Sequence, residues 1–242
     1  MSSATETSPV IKILVVGDAG VGKTSVIQRY VNDAFSPSLQ PTVGVEFFIK
    51  EIALDSSLSG SSNGSTVRVQ LWDIAGQDRA KKINRVYFKG ALGALIVYDI
   101  SRPQTFDSAA KWKQELDANI TLPNGHNLPM VLLGNKVDLE VAKADVSYID
   151  GFVGANGFLA WSDVSAKDAS NDDFDLSVAC LIKRLLCDEE LFGPGMRRSA
   201  EAFSKRMNQR DIPRGLQMGS RDVRLALKAE TRRESTGSCC EI

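Results

Sequence analysis

The chain has 242 residues, 43% hydrophobic and 24% charged, with 29 basic against 30 acidic side chains, enough for one globular domain with a tail. A net charge of −1 with no long basic block before residue 190 excludes the electrostatic footprint of a nucleic-acid binder, and no apolar run reaches the roughly 18 residues of a spanning helix. Four cysteines, two of them adjacent near the end, make no disulfide framework and fit a reducing compartment.

Residues 1–9 are expected to be disordered. Met1 to Thr7 lack the apolar core of a signal peptide, and Ser2 replaces the glycine that N-myristoylation needs, so neither secretion nor that anchor is expected. Val10–Val16 predicts a strand stopped by Gly17, and the mix from Thr24 to Tyr30 predicts a helix. Further strands are predicted over Val45–Leu54, Val67–Asp73, Ala91–Asp99, Pro129–Asn135 and Leu159–Val164, with helices at Thr105–Asn119, Val141–Gly154 and Asp173–Cys187. The alternation specifies an α/β fold with a six-stranded, mostly parallel sheet and helices on both faces. The run Asp55–Ser65 is nearly all Ser and Gly and predicts a flexible hairpin loop. Residues 191–242 carry 11 Lys/Arg against 6 Asp/Glu, a net +5, while residues 1–190 are −6, which marks a tail behind a domain at 10–190.

Gly17-Asp18-Ala19-Gly20-Val21-Gly22-Lys23-Thr24 has the spacing G-x-x-x-x-G-K-[ST] between a strand and a helix, the context of a P-loop NTPase. Glycines let backbone N–H groups wrap phosphates at a helix N-terminus, Lys23 neutralises the β and γ phosphates, and the Thr24 hydroxyl suits Mg²⁺. Asn135-Lys136-Val137-Asp138 follows an apolar strand at the edge where open α/β sheets bind ligands. The Asp138 carboxylate can accept two hydrogen bonds from guanine, whereas adenine would leave it desolvated and unpaired, which disfavours an ATPase or kinase. Asn135 can tie the loop to the purine edge, the Lys136 stem can cover a ring face, and Ser165-Ala166-Lys167 can present the Ala166 N–H to the guanine carbonyl. His126 is the only histidine, so no histidine-based metal site or triad can be built; Cys180 and Cys187 read as ordinary helix residues.

These motifs, with Pro41-Thr42 and Trp72-Asp73-Ile74-Ala75-Gly76-Gln77, resemble a small GTPase of the Ras superfamily over roughly residues 10–190. Gly44-Val45-Glu46-Phe47, the Trp-Asp-Ile-Ala-Gly-Gln run and the terminal cysteine pair resemble the Rab family. Leu122-Pro123-Asn124-Gly125, Arg85-Val86-Tyr87-Phe88-Lys89 and Lys111-Trp112-Lys113 look most like its branch serving lysosome-related organelles. The resemblance implies a GTP/GDP switch that hydrolyses GTP and recruits effectors to an intracellular membrane in vesicle trafficking. It places Gly20, Val21, Gly22, Lys23, Thr24 and Ser25 around the phosphates, Phe35 against the guanine edge, and Thr24, Thr42 and Asp73 at Mg²⁺, with Thr42 also sensing the γ-phosphate. The Gly76 N–H would contact that phosphate, Gln77 would orient the attacking water, and Phe47, Trp72 and Tyr87 would form the aromatic surface that effectors read.

Departures from the family pattern are Asp78 for Glu, Ala80 where an aromatic is common, the basic pair Lys81 and Lys82, and Val164 for a hydroxyl residue. Ala19, beside the γ-phosphate position, would crowd an incoming arginine. With the altered second switch it leaves a second reading open: a poorly hydrolysing, nucleotide-bound scaffold of the same fold. Slow intrinsic hydrolysis is expected, because no intrinsic arginine finger is evident in the sequence.

Cys239 and Cys240 resemble a Rab double-prenylation site, and two lipids give the stable anchoring that one does not. The basic tail would add attraction to an anionic leaflet. Met196, Ala200, Phe203 and Met207 recur at helical spacing, so part of the tail reads either as a basic amphipathic helix or as a disordered spacer. The family implies an exchange factor, a GAP, effectors, Rab escort protein and GDP-dissociation inhibitor as partners. A monomer is expected on the cytoplasmic face of an intracellular membrane, endosomal or lysosome-related, with a soluble pool.

Overall fold

In a parallel sheet covered on both sides, every position of a central strand is buried, so the strand is apolar throughout. β1 (Val10–Val16) follows this rule from Ile13 on: Ile11, Ile13 and Val15 enter one core, Leu14 and Val16 the other, all fully buried, while Val10 is exposed and Lys12 half-buried at the start of the strand. The computed structural model describes residues 8–55, 65–77, 85–141, 144–169 and 173–193, with Met196 and Ser199. Residues 56–64 of the Ser/Gly run, Asp78 to Lys82 and the tail from residue 200, including Cys239 and Cys240, lie outside the described residues, while Asp55 and Ser65, expected in the loop, belong to the strands that flank it.

The chain continues through α1 (Lys23–Asn32), β2 (Val45–Asp55), β3 (Ser65–Ile74), α2 (Arg85–Phe88), β4 (Gly93–Asp99), α3 (Pro103–Asn119) and β5 (Met130–Asn135). It ends with α4 (Val146–Asn156), β6 (Ala160–Val164), α5 (Asp173–Leu186) and α6 (Glu189–Phe192). The sheet order is β2-β3-β1-β4-β5-β6, with β2 and β3 antiparallel and every other pair parallel. Helices α1 and α5 cover one face through Val26, Ile27, Val178, Leu181, Ile182 and Leu185. Helices α2, α3 and α4 cover the other through Phe88, Phe106, Ala109, Trp112, Leu116 and Ile149.

Two helices start elsewhere than the sequence predicts. α3 begins at Pro103, whose fixed φ suits the first helical position, two residues before Thr105. α4 begins at Val146 instead of Val141, because the Asp145 side chain accepts from the Ser147 N–H at 2.7 Å and ends the preceding loop there. The packed chain also continues past residue 190, with Leu191, Phe192 and Met196 resting on the core. Because β1 lies between β3 and β4, the connection from β1 to β2 and the one from β3 to β4 run in opposite directions across the sheet, and this switch point opens a crevice at the carboxyl ends of the strands.

Candidate functional site

The loop after β1 is shaped by glycines at positions where a side chain has no room. Gly17 has φ +146°, and a Cβ there would lie 2.1 Å from the Val97 carbonyl oxygen; Gly22 has φ +95°, with the Asn135 Nδ2 2.3 Å from its Cβ position. Lys23 is buried, and its Nζ donates to the carbonyls of Gly17 and Asp18, each at 3.0 Å. Burial lowers its pKa, opposed by the carboxylates of Asp73 and Asp18. Outside the loop, Asn135 Nδ2 donates to the Val21 carbonyl at 2.8 Å and Lys136 Nζ to the Gly20 carbonyl at 3.0 Å.

Three oxygens meet at the start of α1. Thr24 Oγ1 and Thr42 Oγ1 are 2.8 Å apart, Thr24 donates to Asp73 Oδ2, and Thr42 donates to the same oxygen at 3.2 Å. Asp73, the last residue but one of β3, is fully buried, and its Oδ1 has no hydrogen-bond partner. Burial raises its pKa against the pull of Thr24, Lys23 and Thr42. An orphaned, desolvated carboxylate oxygen beside two hydroxyls fits a hard cation such as Mg²⁺. Among the described residues no three His, Cys, Asp or Glu side chains form a metal-binding group, so a cation here would need further oxygens, such as those of a phosphate.

At the opposite end, Asp138 Oδ1 accepts from Ser165 Oγ at 2.7 Å, and Ser165 Oγ accepts the backbone N–H groups of Lys167 and Asp168 at 3.2 and 3.1 Å. The Ala166 N–H points to Asn135 Oδ1 at 3.4 Å, so Asn135 joins the two loops. Arg29 of α1 holds this loop from behind, donating to the carbonyls of Ala166 and Lys167 at 3.0 and 3.4 Å.

Between the two ends lies a cleft of about 720 Å³. It is lined by Gly20, Gly22, Lys23, Thr24, Ser25, Phe35, Thr42, Gly76, Gln77, Asn135, Lys136, Asp138, Ala166 and Lys167, fourteen of the residues singled out in the sequence. Val21 and Asp73 are fully buried and Ser165 nearly so, and these three shape the cleft without lining it. Phe35 is partly exposed at the cleft wall and not in the core.

A family model described as the Ras family matches residues 12–180. The Ras-related protein Rab-32 of Mus musculus is 44% identical over 182 residues, covering 75% of this chain and 78% of that protein. Ras-related protein Rab-7L1 of Homo sapiens is 41% identical over 175 residues, or 72% and 82% of the two chains, and Rab-32B of Dictyostelium discoideum is 39% identical over 160 residues, or 66% and 59%. The chain belongs to the Rab family of Ras-related small GTPases. It stands close to the Rab-32 branch, and as a Rab it is a GTP-binding GTPase of membrane trafficking.

Two of the three aromatics singled out in the sequence lie together on the sheet. Phe47 is 62% exposed and stacks on Trp72, its partner in the β2–β3 register, with ring centroids 5.9 Å apart. Lys12 Nζ sits 3.6 Å from the centroid of Trp72, and half-buried Tyr87 rests on the core from α2. Sequence reasoning missed four supports of the Rab site: Arg29, Asp99, Arg102 and Trp112, whose Nε1–H donates to Asp18 Oδ1 at 3.0 Å. Arg29, Arg102 and Trp112 reach carbonyl or carboxylate partners far along the chain, and Asp99 receives Lys136 Nζ at 2.6 Å, so no local pattern announces these contacts.

Proposed function

We propose that the cleft binds GTP and GDP with Mg²⁺, that it hydrolyses GTP, and that the nucleotide state controls effector recruitment to an intracellular membrane. The observation that carries this reading is the convergence, on one edge of the sheet, of a phosphate loop, the oxygens of Thr24, Thr42 and Asp73, and the Asp138 carboxylate.

In this reading the N–H groups of Gly20 to Ser25 and the Lys23 ammonium hold the phosphates. Phe35, Lys136 and the Ser165-Ala166-Lys167 loop enclose the base, which Asp138 selects. Thr24, Thr42 and Asp73 would hold Mg²⁺, which when bound neutralises charge on the β- and γ-phosphate oxygens. Gln77, exposed at the cleft mouth, orients the attacking water, and loss of the γ-phosphate releases the segments carrying Thr42 and Gly76. Phe47, Trp72 and Tyr87 face the effectors.

The G domain at 10–190 would act as a monomer, and residues 191–242 would tether it through prenylated Cys239 and Cys240 to the cytoplasmic face of an endosomal or lysosome-related membrane. Exchange factor, GAP, Rab escort protein and GDP-dissociation inhibitor would drive the cycle. The test is to purify the chain from cells, denature it in EDTA and chromatograph the released nucleotide. Stoichiometric GDP or GTP is expected; adenine nucleotide or none overturns the reading. Single-turnover cleavage of GTP, faster than in Gln77→Leu, then tests the hydrolytic step.

A further inference from the structure

We infer that Arg102, just before α3, is a positioning residue for the GTPase reaction: it aims the Gly20 N–H at the bound phosphates. Its Nε donates to Asp99 Oδ2 at 3.0 Å and its Nη2 to the Ala19 carbonyl at 3.2 Å. Asp99, at the end of β4, is almost fully buried and also receives Lys136 Nζ at 2.6 Å. Burial works against its charge, but the bonds from Lys136 and Ser101 outweigh it and hold its carboxyl below the usual range, so it anchors both cations as an ionised group.

Three consecutive loop carbonyls are thereby gripped from outside: Ala19 by Arg102, Gly20 by Lys136 and Val21 by Asn135. A planar trans peptide directs the following N–H opposite to its carbonyl. Fixing these three carbonyls outward therefore turns the N–H groups of Gly20, Val21 and Gly22 into the cleft. Arg102 is the only one of the three grips outside the base-binding segment, and it is not an arginine finger, because two sites of its fork are occupied by Asp99 and Ala19. The planar fork matters: it holds the two acceptors on two nitrogens at a fixed separation, whereas a lysine ammonium offers its three donors from one point on a flexible stem and does not fix the Ala19 carbonyl direction as tightly.

This inference rests on the phosphate loop holding nucleotide, so the parent protein is assayed alongside. Arg102→Met is expected to release a fluorescent GDP analogue about tenfold faster, the size of one charge-assisted hydrogen bond. It is also expected to slow single-turnover GTP cleavage and to shift the ³¹P resonance of the bound β-phosphate, a signature that lost packing alone would not produce. Arg102→Lys, which keeps the charge and serves if Arg102→Met does not fold, should fall between the two in all three measurements. Parent-like release and ³¹P shift in Arg102→Met, or in Arg102→Lys, overturn the inference. A parent that binds no guanine nucleotide overturns the reading of the cleft instead.

Discussion

Single atoms decide the chemistry of this cleft. Thr24→Asn removes the hydroxyl that bonds both Thr42 and Asp73 and puts an amide among part-buried oxygens. It is expected to weaken Mg²⁺ and GTP binding by about tenfold or more, and GDP binding less, because the γ-phosphate side depends on the same oxygens. Fluorescence titration with both nucleotides checks this, and an unchanged GTP affinity contradicts it. Gly76 is constrained from the other side: a Cβ there would lie 2.4 Å from the Ala19 backbone nitrogen, a contact with main chain that cannot swing away. Gly76→Ala should therefore push the second switch off the phosphate loop and lower GTP affinity while sparing GDP, read in the same titration.

At the scale of elements, capping and burial explain where the boundaries fall. Asp145→Ala removes the cap of α4 and should cost about 1 kcal/mol, lowering Tm by about 3 °C in thermal unfolding, with nucleotide affinity unchanged. The same cap explains why the sequence placed this helix too early: Val141 to Ala144 has helical composition, but Asp145 competes for the backbone and starts the helix after itself. Strands β4 and β5 were legible because burial on both faces makes them largely apolar runs. Helices α2 and α6 were not, since four residues show no period. The site divides in the same way. The phosphate loop and Asn135 to Asp138 are contiguous and could be read directly, whereas Arg102, Trp112 and Arg29 find their partners 83, 94 and 137 residues away.

For the whole molecule, the charge division between a −6 body and a +5 tail suits a domain held near an anionic surface by its far end. Cys239→Ser with Cys240→Ser should leave the protein in the soluble fraction of cells, and persistence on membranes would remove the anchor from the proposal.

The nucleotide should also be a structural component of the folded state. Lys23 and Asp73 are buried charges whose pKa values burial shifts toward neutrality, and Asp73 Oδ1 has no partner. Both are groups that an anionic ligand with its cation would satisfy. A ligand that binds only the folded chain stabilises it by mass action, about 4 kcal/mol when free ligand exceeds Kd about 1,000-fold. For a domain of this size that corresponds to a Tm about 10 °C higher. Stripping nucleotide with EDTA and phosphatase should therefore lower Tm by that order, and GDP with Mg²⁺ should restore it where ADP with Mg²⁺ does not. Equal rescue by ADP would mean that Asp138 does not select the base, and no change on stripping would mean that the buried charges are compensated by the protein alone.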